Sequence, residues 1–284
     1  MIALIGGVLA ALCFTGAILS STRATRMVGP VATLGGVMLF SAIAAAPIVL
    51  LSVAGTRFPS ESIGWLVLAG VGNVGGLFSE YVGLRRGKVG IVGALAAAEG
   101  AVAATISILA GEQLAPAVGI GVAIVAGGVV LTALAPDPPD ARSAPGALQT
   151  ALVFGGIAGL AFGAGLYATG HLGATLPIGW ALVAPRVVGV AAITIPAALT
   201  GRLRIGRAAL PYVMAGGFCE AGGFLAFAWG AGSGIAVASA LAAQFATLGA
   251  IVAWLRFGER LSRWQWLGIA TVAIGVVVLA FGSA

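Results

Sequence analysis

Charged side chains are scarce in this 284-residue sequence. Asp, Glu, Lys and Arg together make up 8% of the residues, whereas 60% are hydrophobic and the mean hydropathy is +1.13. Water-soluble domains carry about 25% charged residues. A chain this poor in charge cannot present a water-facing surface along its whole length. The composition therefore excludes an ordinary soluble protein and favours one that crosses a membrane several times.

Residues that bind metals or act as nucleophiles are also few. The cysteines, Cys13 and Cys219, lie in separate apolar stretches without a Cys-x-x-Cys or histidine spacing, and the single histidine is His171. This set contains no metal-ligand pattern and no nucleophile with a base, and no phosphate-binding loop occurs. We therefore predict no metal, no other cofactor and no enzymatic activity.

Long apolar runs are what the sequence has in abundance. About 20 mostly apolar residues span the hydrocarbon core of a bilayer, and ten runs of about this length occur. The runs are too long and alternate too poorly for barrel strands, so helices must satisfy their backbone polar groups. We predict an all-α membrane protein with ten transmembrane helices at residues 2–20, 32–53, 64–84, 89–110, 115–135, 147–169, 176–199, 208–229, 234–255 and 264–281.

Basic residues are distributed unevenly between the connections that join these runs. Arg57 lies in an even-numbered connection and Arg186 within a span. The odd-numbered connections hold the rest of the 14 basic residues: Arg23, Arg26, Arg85, Arg86, Lys88, Arg142, Arg202, Arg204, Arg207, Arg256, Arg260 and Arg263. Cytoplasmic connections retain positive charge, which predicts a multi-pass protein of the cytoplasmic (inner) membrane with both termini on the extracytoplasmic side. The net charge of +6 then reflects orientation, and we expect no nucleic-acid partner.

The two halves of the sequence resemble each other. Residues 94–114 are similar to residues 240–261, and Gly-Asn-Val-Gly-Gly at 72–76 aligns with Cys-Glu-Ala-Gly-Gly at 219–223, an offset of 147 residues. The halves, 1–140 and 141–284, meet in a Pro-rich linker at 136–146. Five spans in each half require the second half to enter the membrane in the opposite sense. Two inverted five-helix repeats are typical of secondary transporters that work by alternating access.

The repeated motifs resemble those of a known family. Both halves carry Gly-Glu-x-Leu between their fourth and fifth spans, followed by a Gly/Val-rich closing span; the motif residues are Gly111, Glu112, Leu114, Gly258, Glu259 and Leu261. This arrangement resembles the EamA branch of the drug/metabolite transporter superfamily, in the group that exports amino acids and other metabolites. The resemblance implies a central cavity lined by the first, third, fourth, sixth, eighth and ninth spans.

Polar side chains within the spans are the candidates for a substrate site. A charged side chain at a helix centre costs about 2.5–3.5 kcal/mol on insertion scales, so each one calls for an explanation. Asn73 and Glu80 are two helical turns apart and share a face, and the repeat pairs Asn73 with Glu220. The candidates on spans that the resemblance places around the cavity, together with Arg186, are Asn73, Glu80, Tyr81, Glu99, Glu220, Gln244, Phe14, Phe162, Tyr167, Phe227, Trp229 and Arg186.

Structural roles remain open for several of these residues. Glu99 or Glu220 can pair with Arg186, Glu80 can form a salt bridge with Arg85 or Arg86, and Asn73 can simply join two helices. The excess of carboxylates over arginine disfavours anionic substrates. We predict export of small neutral or zwitterionic solutes, most naturally amino acids, by one chain acting as a monomer in the lipid bilayer. Efflux of organic cations, a channel-like facilitator and proton coupling through Glu99 or Glu220 remain alternatives.

Overall fold

The computed structural model describes residues 1–86, 89–133, 146–257 and 262–282. In these ranges the chain is helical and forms no β-strand. It also contains a 3₁₀ turn (Ser60–Ser62) and a π-helical turn (Val190–Thr194). The helices are α1 (Ile2–Val28), α2 (Pro30–Val53), α3 (Ile63–Arg86), α4 (Val89–Ala97), α5 (Glu99–Leu109), α6 (Pro116–Ala133), α7 (Ala147–Thr175), α8 (Ile178–Gly189), α9 (Ile195–Leu199), α10 (Leu210–Ala231), α11 (Ile235–Ala242), α12 (Phe245–Phe257) and α13 (Arg263–Gly282).

The helical segments confirm the predicted all-α membrane class. In the described part of the chain, seven are long and apolar enough to cross a membrane: Ile2–Val28, Pro30–Val53, Ser60–Arg86, Ile91–Leu109, Ala147–Thr175, Ile178–Leu199 and Leu210–Ala231. Three shorter apolar helices, Pro116–Leu131, Ile235–Gly249 and Trp266–Leu279, fall within the other predicted spans. Each apolar run of the sequence is therefore mainly helical.

The first helix extends beyond its predicted end at residue 20. It continues through Arg23 and Arg26 to Val28, where Gly29 adopts a left-handed backbone (φ 85°) and Pro30 begins α2. Hydropathy marks where the apolar run ends, but the backbone hydrogen bonds of a helix continue until a residue such as glycine breaks them. The end of α1 is therefore determined by Gly29 and Pro30 and not by the first arginine.

Two of the predicted continuous spans are interrupted helices. The fourth is divided at Ala98 into α4 and α5, and the ninth at Ala243 and Gln244 into α11 and α12. Both breaks are single tight turns, in which Ala98 N–H donates to Leu95 O and Gln244 N–H donates to Leu241 O. Interrupted helices in membrane proteins occur where the backbone lines a cavity or is buried in protein. The breaks place Glu99 and Gln244 beside irregular backbone.

Glycines bring helices of the two halves of the chain together. A Cβ atom on Gly6 of α1 would lie 2.5 Å from Gly230 Cα of α10, and one on Gly72 of α3 would lie 2.8 Å from Gly165 Cα of α7. The two backbones can come this close only because glycine has no side chain, and small residues commonly have this role between membrane helices. Close packing of α1 on α10 and of α3 on α7 therefore joins the two halves of the chain.

Some predicted features lie outside the described residues. These are the boundary between halves at residues 140 and 141, most of the linker, and the second-half motif residues Gly258, Glu259 and Leu261. The first-half motif is described. There Glu112 accepts a hydrogen bond from Ala236 N–H in the first turn of α11 (3.1 Å to Oε2), and Ser107 Oγ also donates to Oε2. The motif thus joins the end of α5 to the start of α11.

Candidate functional site

A cavity lies between six helices at the centre of the structure. Helices α1, α3, α5, α7, α10 and α12 contribute to it, and all of them come from spans that the family resemblance assigns to a central cavity. The lining combines acidic, amide, aromatic and aliphatic side chains. Its residues are Phe14, Ala17, Ile18, Asn73, Leu77, Glu80, Tyr81, Glu99, Phe162, Gly165, Leu166, Glu220, Phe224 and Phe245.

Three carboxylates face this cavity from three helices. Glu80 on α3, Glu99 on α5 and Glu220 on α10 have exposed fractions of 3%, 5% and 4%. Because Glu80 lines the cavity while Arg85 and Arg86 are exposed, its side chain lies with the other acids and away from those cations. Burial of three acidic groups around one space concentrates negative electrostatic potential there whenever any of them is ionised.

A hydrogen bond links Asn73 and Glu220 at the cavity wall. Asn73 Nδ2 donates to Glu220 Oε1 at 3.0 Å, which joins α3 to α10. Both side chains are almost fully buried, with exposed fractions of 2% and 4%. The carbonyl oxygen of Asn73, Oδ1, is buried without a hydrogen-bond partner. Asn73 therefore joins two helices and also retains an unused acceptor in the lining.

Arg186 contacts the cavity wall without lining the cavity. Its Nε donates to Ser41 Oγ at 3.1 Å and its Nη2 to the main-chain oxygen of Glu220 at 3.2 Å. The guanidinium carbon lies 4.7 Å from the ring centroid of Phe224, in a cation–π contact. Its remaining nitrogen, Nη1, is buried and has no hydrogen-bond partner. Arg186 therefore lies beside Glu220 but bonds to its main-chain oxygen and not to its carboxylate, and it stacks on Phe224, which lines the cavity.

Two other polar or amphipathic candidates are engaged outside the cavity. Gln244 donates from Nε2 to Ala240 O at 2.9 Å and accepts from Thr247 Oγ1, so both ends of its amide are used within its own segment. Tyr167 packs edge-on against Trp65, with ring centroids 5.7 Å apart. The helix break at Ala243 and Gln244 turns the Gln244 amide back onto the preceding turn.

Two aromatic candidates on α10 also point away from the cavity. Phe227 is completely buried in the apolar core, and Trp229 has 46% of its surface exposed. Consecutive helical residues are rotated by about 100°, so residues of one helix occupy different sides. All five aromatic residues were predicted because they lie on helices that line the cavity. Phe14, Tyr81 and Phe162 do line it, whereas Phe227 and Trp229 are on other sides of their helix.

Apolar lining residues were missed by the sequence analysis. Leu77 follows Asn73 by four residues and Phe224 follows Glu220 by four, so each lies one turn further along the same face. That spacing could have identified both. Ile18 follows Phe14 by four residues and Leu166 follows Phe162 by four, but both pairs lie on helices that are apolar on every side, and Phe245 has no predicted candidate one turn away.

The lining is suited to a solute that carries positive charge on nitrogen. No Lys or Arg is among the lining residues, whereas three carboxylates and the rings of Phe14, Tyr81, Phe162, Phe224 and Phe245 are. Carboxylates attract an ammonium group, and aromatic faces attract cations at short range. Within the described residues, no group of three His, Cys, Asp or Glu side chains is arranged to hold a metal ion.

Helices long enough to cross a bilayer, together with a central cavity lined by carboxylates and aromatic rings, define a membrane protein able to hold a small solute between its helices. Residues 1–134 match the EamA-like transporter family. This match confirms the family resemblance seen in the repeated motifs, and the family is one of membrane transporters of the drug/metabolite superfamily.

The fold is shared with a solved crystal structure of another protein. The two chains are 17% identical, the match covers 98% of this chain and 96% of the other, and the TM-score is 0.77. Similarity at this level of identity establishes the fold alone. No curated protein matches the chain significantly in sequence.

Proposed function

We propose that this protein is a secondary transporter that exports small neutral or zwitterionic metabolites, with amino acids as the first candidates, by alternating access. The observation that carries the proposal is the arrangement around Glu220. Its carboxylate lines the cavity beside Asn73, and its main-chain oxygen accepts from Arg186, whose Nη1 has no partner. The Glu220 carboxylate, which can bind an ammonium group, and the Arg186 guanidinium, which can bind a carboxylate, are thus both located at Glu220.

The ammonium end of the solute would be held by the acidic residues. Glu80, Glu99 and Glu220 are buried in the same lining, and Asn73 adds an acceptor oxygen. An ion pair in a water-excluded site is much stronger than one in water. This supports recognition of an amino group at the level of Glu220.

The carboxylate end would be held by Arg186. A guanidinium is suited to carboxylates because its parallel N–H groups match the two oxygens. Arg186 is not among the lining residues but stacks on Phe224, which is, so we propose that a carboxylate reaches Nη1 when that ring changes rotamer. The requirement for ring movement connects solute binding to a rearrangement of α10.

Alternating access requires two halves that can exchange conformations. We propose that ten segments cross the cytoplasmic membrane as two inverted repeats, 1–140 and 141–284, with both termini on the extracytoplasmic side. Helices α1 and α3 pack against α10 and α7 through glycines, and the breaks in α4/α5 and α11/α12 occur at similar places in the two halves. One chain encloses the cavity, which supports function as a monomer.

Efflux of organic cations is the second candidate function. The specific observation in its favour is that the lining has acidic and aromatic side chains but no cation. Such a lining holds a cation without needing the carboxylate group that Arg186 would bind.

Counterflow in proteoliposomes tests the transport proposal. Proteoliposomes that contain the purified protein are loaded with one unlabelled amino acid, and uptake of the same radiolabelled amino acid is measured. The assay is repeated with other amino acids and then with organic cations. We expect saturable counterflow for at least one amino acid, with loss of at least about tenfold in Glu220→Gln. Glu61→Gln, a change at an exposed glutamate of the 3₁₀ turn, is the matched control. Flux without saturation or counterflow would indicate a channel and contradict the proposal.

Proton coupling is tested in the same vesicles. Glu99→Gln and Glu220→Gln are compared in counterflow and in uptake driven by a pH gradient. Loss of gradient-driven transport with retention of counterflow would assign proton exchange to the altered residue. Unchanged transport in both assays would remove that residue from the mechanism.

Labelling of single cysteines tests the orientation. In a Cys13→Ala, Cys219→Ala background, Ser60→Cys lies in a connection that we propose to be extracytoplasmic and Gly206→Cys in one that we propose to be cytoplasmic; both positions are exposed. A membrane-impermeant maleimide should label only the first in intact cells. The reverse pattern would invert the proposed topology.

A further inference from the structure

Asn73 leaves one strong hydrogen-bonding atom unused at the cavity. An amide offers two N–H donors and a carbonyl acceptor, and an ionised carboxylate offers acceptors only. Toward an ionised Glu220, Asn73 presents its nitrogen, as the structure has it, which leaves Oδ1 as the remaining group. This oxygen is buried and unpartnered, on a side chain that is 2% exposed and belongs to the cavity lining.

The lining as a whole has many acceptors and few donors. Glu80, Glu99 and Glu220 contribute carboxylate oxygens, and Asn73 contributes Oδ1. Apart from Asn73 Nδ2, which is already bonded to Glu220, the Tyr81 hydroxyl is the donor among the polar side chains of the lining. A buried acceptor without a donor is unfavourable, so a bound solute that supplies donors is favoured over one that has none.

We propose that Asn73 makes the cavity selective for amines that retain N–H bonds, that is, for primary ammonium groups over quaternary ones. The proposal rests on the proposed transport function and specifies its substrate class. A primary ammonium donates one N–H to Asn73 Oδ1 and another to a carboxylate such as that of Glu220. The same geometry separates amino acids and primary amines from lipophilic quaternary cations, which are the substrates of the second candidate function.

A quaternary ammonium satisfies only part of this site. It carries the same charge and is still attracted by the carboxylates and by the aromatic rings. Its methyl groups, however, exclude any donor from Asn73 Oδ1, which stays buried and unpaired. Sites that hydrogen-bond a substrate group discriminate strongly against analogues that lack it, because their own polar groups are left unpaired. We expect a preference of at least about tenfold.

The test uses two probes of equal charge, 2-phenylethylamine and its N,N,N-trimethyl derivative. Calorimetric titration of the purified full-length protein in detergent measures the dissociation constant of each. We expect the wild type to bind the primary amine at least about tenfold more tightly. Asn73→Leu should bring the ratio of the two constants close to one, and Asn73→Asp, which keeps an acceptor, should preserve the preference.

Thr169→Val provides the matched control. Thr169 is also fully buried with an unpartnered side-chain oxygen, but it does not line the cavity. This variant should retain the wild-type ratio. Equal binding of both probes by the wild type overturns the role of Asn73, and so does a wild-type ratio in a monodisperse Asn73→Leu protein. Failure of the wild type to bind either probe would instead overturn the proposed recognition of ammonium as a whole.

Discussion

Asn73 Nδ2 donates a hydrogen bond to Glu220 Oε1 at 3.0 Å, although 147 residues separate the two in the sequence. The same offset aligns Gly-Asn-Val-Gly-Gly with Cys-Glu-Ala-Gly-Gly. Residues that correspond in the two halves of the sequence are therefore in direct contact at the cavity. This hydrogen bond connects α3 of the first half to α10 of the second. A movement of one half relative to the other would therefore change the bond and the shape of the cavity wall.

The energy of the Asn73–Glu220 bond can be measured with a double-mutant cycle. Asn73→Leu, Glu220→Gln and the combined variant should show a coupling of about 0.5–2 kcal/mol, the range of side-chain hydrogen bonds between membrane helices. Reversible unfolding in mixed detergent micelles gives the required free energies. Additive effects of the two changes would show that the bond contributes nothing to stability.

Gly72 and Gly75 on α3 should respond very differently to alanine. A Cβ on Gly72 would lie 2.6 Å from Ala161 O and 2.8 Å from Gly165 Cα, whereas nothing lies within 4 Å of a Cβ on Gly75. Because the obstructing atoms are backbone, Gly72→Ala should lower the free energy of unfolding by about 1–3 kcal/mol. Gly75→Ala is the control, and the same unfolding assay should find it stable. Equal stabilities would contradict the packing of α3 on α7.

Glu112 should stabilise the start of α11. Its carboxylate accepts from Ala236 N–H, one of the first main-chain donors of that helix, which have no partner within the helix. Glu112→Ala should lower stability by about 1 kcal/mol, as for other N-terminal caps, and Glu112→Gln should lose less because it retains an acceptor. Thermal denaturation in detergent measures both against Glu61→Ala. A loss equal to that of the exposed Glu61→Ala control would show that the contact is not stabilising.

Arg186 should distinguish an amino acid from the corresponding amine. If the guanidinium binds the solute carboxylate, Arg186→Lys should weaken counterflow of L-phenylalanine by about tenfold or more, since lysine cannot reproduce the fork of donors. Uptake of 2-phenylethylamine, which lacks the carboxylate, should fall much less. An equal loss for both solutes would restrict Arg186 to its contacts with Ser41 and Glu220 and so to a structural role.

The sequence predicted the lining most successfully where polarity was unusual. Asn73, Glu80, Glu99 and Glu220 stood out because polar groups in apolar helices are costly, and all of them line the cavity. Gln244 stood out for the same reason but bonds to its own helix. The turn at Ala243 and Gln244 determines that orientation, and no glycine or proline at this point marks the turn in the sequence.

The sequence did not distinguish the aromatic residues that line the cavity from those that do not. Phe14 and Phe162 line the cavity, whereas Phe227 lies in the core and Trp229 is exposed. In a soluble protein the apolar side of a helix identifies its inward face. Lipid is as apolar as the interior of the protein, so hydrophobicity does not distinguish the two faces of a membrane helix.

The sequence by itself determined that this is a helical membrane protein, since apolar length and scarce charge are properties of the chain alone, and residues 1–134 carry the match to a transporter family. Tertiary structure decided which side of each helix faces the cavity. It also decided that Arg186 stacks on Phe224, that Glu112 accepts a hydrogen bond at the start of α11, and that Asn73 and Glu220 are in contact. These relationships depend on helix rotation and on close approach at glycines such as Gly72 and Gly165, which arise only when the helices pack together.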